Sequence, residues 1–307
     1  EYGMSIARSE IRGNMAPKSL TLGGGNGGGI FIAGPNRSNT QITIQTSTII
    51  ANSSNWGGGI YIGPTDTDRF GGGLTLTNSS ILNNSAGNGG GMMINNTGNY
   101  ASRYETYLEN STISGNNTLM HGGGIYMPST STLAISNCTI TDNIADSDGD
   151  NNGDSGGIQN FSSTKSIRLE NTILAGNLDA STGEQPTIVH DCRGNLDLFG
   201  YNLIGKLDAS KCIVNVDATT LRGSNTSPLD ALLGPLDYYG YSTLTHELLP
   251  GSSAINGGDP TGCKNPLDAA ILNDQRGETR PYNSRCDIGA VEVQFSVKKV
   301  FLPAILR

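Results

Sequence analysis

Apolar residues in this chain come in short runs at alternate positions, and the runs recur. One signature is a glycine triplet followed by an apolar, any, apolar segment. It appears as glycines 27–29 before Ile30-Phe31-Ile32, 57–59 before Ile60-Tyr61-Ile62, 89–91 before Met92-Met93-Ile94 and 122–124 before Ile125-Tyr126-Met127, with a shorter copy at Gly156-Gly157-Ile158. A second signature alternates with it: a strand-like segment, a polar corner, an apolar residue and, three positions later, Asn. It covers residues 6–14, 44–52, 76–84, 108–116, 135–143 and 169–177, with corners such as Asn-Ser-Ser, Asn-Ser-Thr and Asn-Cys-Thr. From Asn52 onward the closing asparagines, Asn52, Asn84, Asn116, Asn143 and Asn177, stand 32, 32, 27 and 34 residues apart. Self-similarity at such a period marks a repeat architecture.

Each unit holds segments of two to five residues with period-two alternation, such as Ile42-Thr43-Ile44 and Leu74-Thr75-Leu76. Strands that short form no stable sheet alone. Stacking equivalent strands about 4.8 Å apart satisfies their backbone groups and buries an aliphatic ladder. The pattern therefore predicts an all-β fold, a right-handed parallel β-helix over residues 1–240. Ile49, Ile81, Ile113, Ile140 and Leu174 should lie over one another inside, and the asparagine series should bond along the stack. A propeller blade needs four full strands, for which these units are too short, and a calcium-binding β-roll would repeat an Asp every nine residues.

The triplets stop after residue 180, although Leu196-Asp197-Leu198 and Ile213-Val214 keep the short-strand grammar. Beyond Leu233 the texture is irregular and punctuated by Pro and Gly. A bare last coil exposes unpaired strand edges, so residues 241–294 are predicted to form an irregular cap over it. Residues 295–307 form a C-terminal strand or tail.

Composition agrees with a thin core. Gly 43, Asn 31 and Ser plus Thr 58 dominate the 307 residues, and charged residues are only 15%, against about 25% in ordinary domains. Long salt-bridged helices are thereby excluded. A net charge of −8 with 19 Lys plus Arg argues against a nucleic-acid partner. No run approaches the ~18 to 20 apolar residues of a membrane span, and Glu1 opens without a leader, so a soluble, processed chain is expected.

Of the five cysteines, Cys192 with Cys212 and Cys263 with Cys286 bracket loops of about 20 residues, and no pair has the spacing of a zinc site. Two disulfides in an oxidising compartment are expected. Cys138 takes the corner place filled elsewhere by Ser47, Ser79, Ser111 and Thr172, and is expected to be an unpaired small residue.

The motifs Leu233-Gly234-Pro235-Leu236, residues 243–260 (Thr-Leu-Thr-His-Glu-Leu-Leu-Pro-Gly-Ser-Ser-Ala-Ile-Asn-Gly-Gly-Asp-Pro), Asp274-Gln275-Arg276-Gly277 and 285–292 (Arg-Cys-Asp-Ile-Gly-Ala-Val-Glu) occur in that order. This stretch resembles the choice-of-anchor Q domain of bacterial surface proteins. Residues 1–180 are more loosely similar to polymorphic outer-membrane adhesins and autotransporter passengers. The resemblance implies export to the bacterial cell surface, and no catalytic residues are carried over from it. No LPXTG-type sorting motif occurs in the tail.

Candidate chemistry is sparse. The strings that build pectin-hydrolase-like sites are missing, as is a nucleophile elbow. His121 follows Met120 at a place held in other repeats by Asn26, Trp56 and Asn88, which makes it a corner residue. His190 and His246 have no carboxylate or cysteine at strand or helix spacing. The densest acidic segment carries Asp142 and then Asp146, Asp148, Asp150 and Asp154, whose alternate carboxylates suit a structural Ca²⁺ on a flexible loop. A solvated loop is the alternative, because Asn151 and Gly157 stand where an EF-hand has Gly and Glu. No other cofactor is expected.

These readings converge on a non-enzymatic extracellular structural or interaction protein, a filament subunit or a rigid adhesin stalk. The repeat begins at Ser5 and Ile6, and Phe295, Val297, Val300, Phe301 and Leu302 alternate in the tail, so head-to-tail self-association is expected. The alternatives are a carbohydrate-active β-helix enzyme and a glycan-binding module that presents Trp56, Tyr61 and Tyr126 to surface glycans.

Overall fold

A computed structural model describes residues 3–17, 25–33, 41–63, 72–96, 105–164, 167–181, 188–215 and 218–294. No helix occurs among them; the chain winds as successive coils of short strands that pair in parallel from coil to coil. A full coil has four faces. In the second coil these are Gln41–Gln45, Thr48–Ile50, Ser53–Trp56 and Ile60–Ile62. On the first face Ile44 pairs with Leu76, Leu76 with Leu108, and Leu108 with Ile135. On the second face Ile49 pairs with Ile81, then Ile113, Ile140 and Leu174. All of these side chains are fully buried. The protein is therefore a parallel β-helix, with the inward register that alternation predicted.

Two side-chain ladders lock the corners. Asn52, Asn84 and Asn116 each accept from the backbone N–H and side-chain amide of the asparagine one coil earlier at about 3 Å, as do Asn143 and Asn177 with small variation. Each amide also donates to a second-face carbonyl of the preceding coil, as Asn116 does to Ile81 O at 2.9 Å. These interior polar groups are satisfied, which their full burial requires. The hydroxyls of Ser47, Ser79 and Ser111 run a parallel ladder at 3.1 Å per step. Cys138 stands in this ladder, buried and free, and burial pushes its thiol up to about 12.

The glycine triplets are a matter of space. A Cβ on Gly58 would lie 2.5 Å from both Gly90 O and Ser85 O, and one on Gly59 would lie 2.6 Å from Gly91 O. Backbones pack there without side chains between them.

The asparagine ladder ends on an aspartate. Asp191 Oδ1 accepts from the backbone and side chain of Asn177 at 2.9 Å, and Oδ2 accepts from Lys206 N at 2.7 Å. Both oxygens face donors, which an Asn could not match. Burial raises this carboxyl to about 6. The seven-residue strand Cys192–Leu198 turns the corner here, pairing first with Ile158–Asn160 on the fourth face and then with Ile167–Glu170 on the first. The Cys192–Cys212 disulfide, with Cα atoms 5.5 Å apart, clips this strand to Cys212–Val214.

Among the described residues, the region expected as a cap over the last coil lies along the flank of the coils instead. The last parallel pairing joins Leu203–Ile204 to Leu221–Arg222. An antiparallel hairpin of Leu233–Asp237 and Thr245–Leu248 follows, so the boundary expected at residue 240 falls inside one element. From there the chain returns along the second face and covers its flank. Gln275 donates to Ser80 Oγ at 3.0 Å and accepts from Thr112 Oγ1 at 2.6 Å. The corner asparagines of three successive coils each donate their amide to one carbonyl of the returning chain: Asn110 to Asn273, Asn137 to Lys264 and Asn171 to Asp287, at 2.6 to 2.8 Å. These asparagines have φ of +46 to +51°, a left-handed corner that Asn tolerates, and their side chains reach outward. The physical reason for the correction is that the second face carries outward hydroxyls and amides whose burial demands partners, and the irregular chain supplies them. Arg280, 1% exposed, is held by Asn110 Oδ1 at 2.9 Å, Gly289 O at 3.1 Å and Asp287 O at 2.8 Å, with Glu292 at 3.4 Å. The Cys263–Cys286 disulfide ties the region to itself. Residues 295–307, with Phe295, Val297, Val300, Phe301 and Leu302, lie outside the described residues.

Candidate functional site

The corner between the third and fourth faces gathers the charged chemistry. Asn26, Trp56 and Asn88 align there, and His121 aligns with Asp154. Three glycines turn this corner in the second and third coils, whereas the fifth coil inserts residues 146–157 between Ile144–Ala145 and Ile158–Asn160. The acidic segment is that insertion, and the structure divides its carboxylates into two groups. Asp146, Asp148 and Asp150 bring oxygens within 4.8 Å of one another. Asp154 is not with them, contrary to the four-aspartate site expected. It closes the insertion and faces Arg193, whose guanidinium bonds it, with Lys211 Nζ 3.5 Å away.

Asp154 also meets His190, whose Nδ1 lies 2.7 Å from Asp154 Oδ1 and 3.3 Å from Asp179 Oδ2. His190, Asp154 and Asp179 are all buried. Burial opposes charge on the ring, but the bonds to Asp154 and Asp179 outweigh it and raise the His190 pKa. Burial likewise opposes charge on Asp154, yet the His190 bond and the charges of His190, Lys211 and Arg193 hold it down at about 2. Burial opposes charge on Asp179 as well, but the His190 bond and charge and the hydrogen bonds from Ser181 lower its pKa. Histidine thus has two carboxylate partners that no local spacing revealed, because its rung and those of the aspartates meet only through coiling. His121 stays apart as a corner residue: its ring rests against Tyr126 and Phe161, with centroids 5.8 and 5.6 Å away, and burial lowers its pKa.

The third histidine also finds a partner far along the chain. His246 Nε2 lies 2.9 Å from Ser114 Oγ and 4.0 Å from Asp142 Oδ2, and Nδ1 lies 2.7 Å from Gly234 O. With Nδ1–H committed to the Gly234 carbonyl, Nε2 is the ring nitrogen that faces the Ser114 hydroxyl. A cavity of about 310 Å³ opens beside it, lined by His246, Asp142, Leu229 and Leu233. Ser114 is 2% exposed and does not line it. The hydroxyl and the ring join the hairpin to the second face.

The aromatic face is closed too. Tyr61 and Tyr126 are buried and pack with Met93 and the half-buried Trp56, which corrects their expected display to glycans. Stacking of successive coils covers rings that a single coil would present. Phe31 and Phe161 are the more exposed rings of this ladder. No family model, no curated protein and no solved structure matches this chain.

Proposed function

We propose that this protein is an extracellular structural or interaction module of a bacterial surface, a rigid stalk that associates end to end with copies of itself. The observation that carries the reading is the continuous asparagine and aliphatic ladder, in which every coil from the first to the sixth is bonded to the next. Such a rod resists bending because each rung would have to break a satisfied bond. The titratable groups that converge on its buried corner, His190, Asp154 and Asp179 with Arg193 and Lys211, are engaged in ion pairs with each other. Two disulfides suit an oxidising compartment, and the resemblance of the C-terminal motifs to the choice-of-anchor Q domain supports a surface location. Among the described residues, no strand pairs the outer edges of Met4–Ala7 and Glu10–Arg12 or of Cys212–Val214 and Leu221–Arg222. Copies would add at such edges. Antibodies to the purified chain should label intact cells of the source organism. The particle released by mild surface proteolysis should appear in negative stain as rods, single or joined at their ends. Recovery from the cytosol alone would overturn the reading.

One observation favours a second reading, a serine hydrolase: the Ser114–His246 pair has the bond of a nucleophile to its base. A fluorophosphonate probe separates the two. The stalk leaves the probe unreacted, whereas stoichiometric labelling of Ser114 that is lost in His246→Ala would establish the hydrolase.

A further inference from the structure

The insertion at the fifth coil holds a carboxylate that the surrounding protein leaves incomplete. Asp146 is 0% exposed. Its backbone is fixed by Met120 O at 3.2 Å and by a turn to Gly149 N at 2.9 Å, and its Oδ2 accepts from Asn151 N at 3.0 Å. Its Oδ1 is closed off from water and has no hydrogen-bond partner. A buried carboxylate oxygen left in that condition is costly. Two further carboxylates add to the problem, since Asp148 and Asp150 each bring an oxygen to within 4.8 Å of one of the Asp146 carboxylate oxygens. Among the described residues no Lys, Arg or His pairs with any of the three. The nearby cations Arg193 and Lys211 are engaged by Asp154.

We propose that Asp146, Asp148 and Asp150 bind a divalent cation, Ca²⁺, with buried Asp146 as its inward ligand. A single ion answers both observations: it partners the orphaned oxygen and neutralises three converging negative charges. The donor set selects the ion. All three ligands are hard oxygens, without sulfur or imidazole, which disfavours zinc and copper. Asp148 and Asp150 are exposed on a loop, so water and backbone carbonyls can complete six to eight ligands, a number and flexibility that suit Ca²⁺ and not the strict octahedron of Mg²⁺. The ion would fasten the free arc of the insertion, whose far end Asp154 already fastens to Arg193 and His190.

Calorimetric titration of the chelator-treated, full-length protein with CaCl₂ tests the proposal. A saturable single site with Kd of roughly 10⁻⁴ M or tighter is expected, together with a rise in Tm of about 2 to 5 °C at saturation. Asp148→Asn and Asp150→Asn lie on the exposed side and should fold normally, yet each should weaken Ca²⁺ binding at least about tenfold. Asp146→Asn should abolish binding, but that position is buried and the substitution can also disturb folding, so the exposed variants are the ones that decide. Absence of saturable heat and of a Tm shift up to about 5 mM Ca²⁺ would overturn the site. Unchanged affinity in the doubly substituted exposed variant would relocate the ion and overturn the ligand assignment. Mg²⁺ binding as tight as Ca²⁺ would overturn the choice of metal.

Discussion

In the coils, Ile81 lies over Ile113 and Ile113 over Ile140, and Asn84, Asn116 and Asn143 repeat one set of bonds. In the returning C-terminal region no residue repeats another's part: Gln275 serves Ser80 and Thr112, Arg280 serves Asn110 and two backbone carbonyls, and Glu292 receives Tyr282 N and Asp287 N. The coils are stabilised by many equivalent contacts, each modest and nearly independent, as in other solenoids. The flank is stabilised by a few buried charges, each of which leaves others unpaired if lost. Redundancy and singularity fail differently under substitution.

The sharpest break in that comparison is at Arg280. Arg280→Met removes the cation from a pocket that holds Glu292 and Asp287, both buried, and breaking a buried pair in this way costs about 3 to 5 kcal/mol. Urea unfolding should show the flank leaving first, while hydrogen exchange still finds the second-face amides protected within the coils. Concerted loss of both would mean that flank and coils are one cooperative unit.

A smaller and purely local loss is expected at Ile113→Ala, about 2 to 5 kcal/mol from the void left between Ile81 and Ile140. The neighbouring coils are held apart by their own backbone bonds and cannot close in. Equal losses at Leu76→Ala and Leu108→Ala would demonstrate the redundancy, and losses below ~1 kcal/mol at all three would contradict the inward register.

Smaller again is Asn110→Ala, which removes one amide clasp to Asn273 and one acceptor for Arg280. About 1 to 3 kcal/mol follows, because the partners are buried and left unsatisfied. Measured beside Asn137→Ala and Asn171→Ala, it tells whether the three clasps act separately or together.

The same contrast between coils and flank explains what the sequence made legible. A ladder repeats itself every 27 to 34 residues, so the positions of Ile49, Ile81, Ile113 and the closing asparagines were written several times over. Cys138 was legible by the same means, since it stands in a series of hydroxyls. The flank is written once. Nothing local in Asp274-Gln275-Arg276-Gly277 tells which face it covers, and the contact of Gln275 with Ser80 spans 195 residues. The functional corner fails for a related reason: Asp154 belongs to the fifth coil and Asp179 and His190 to the sixth, and an irregular insertion sets their relative height. One signal was available, in that His190 and Asp191 interrupt a series of uncharged rungs.

The smallest effect expected is in pH dependence, and it tests whether that corner is an ion-paired brace between coils. Bonds from Asp154 and Asp179 raise His190 above its ordinary value against the pull of burial. Its contribution is therefore complete below pH about 6.5, the unfolded value, and is lost as pH rises through the higher folded value. Asp154, held at about 2, contributes fully above about 3.8 and loses that contribution as pH falls towards 2. The brace is thus strongest between about pH 4 and 6.5. Asp191 complicates the raw profile, because burial raises it to about 6, so its own effect declines over the same interval as pH increases. Subtracting the curve of His190→Asn from that of the parent removes the part of the Asp191 component that comes from burial and leaves the difference due to His190 with Arg193, Lys211, Asp154, Asp179 and the adjoining Asp191. That difference, read as ΔG from urea titrations at each pH, should be greatest near pH 5 and shrink above neutrality. A difference that is flat from pH 4 to 9 would mean that folding leaves the ring's proton affinity unchanged and that the brace is absent, and one that grows as pH rises through about 6.5 would mean the ring is neutral in the folded protein.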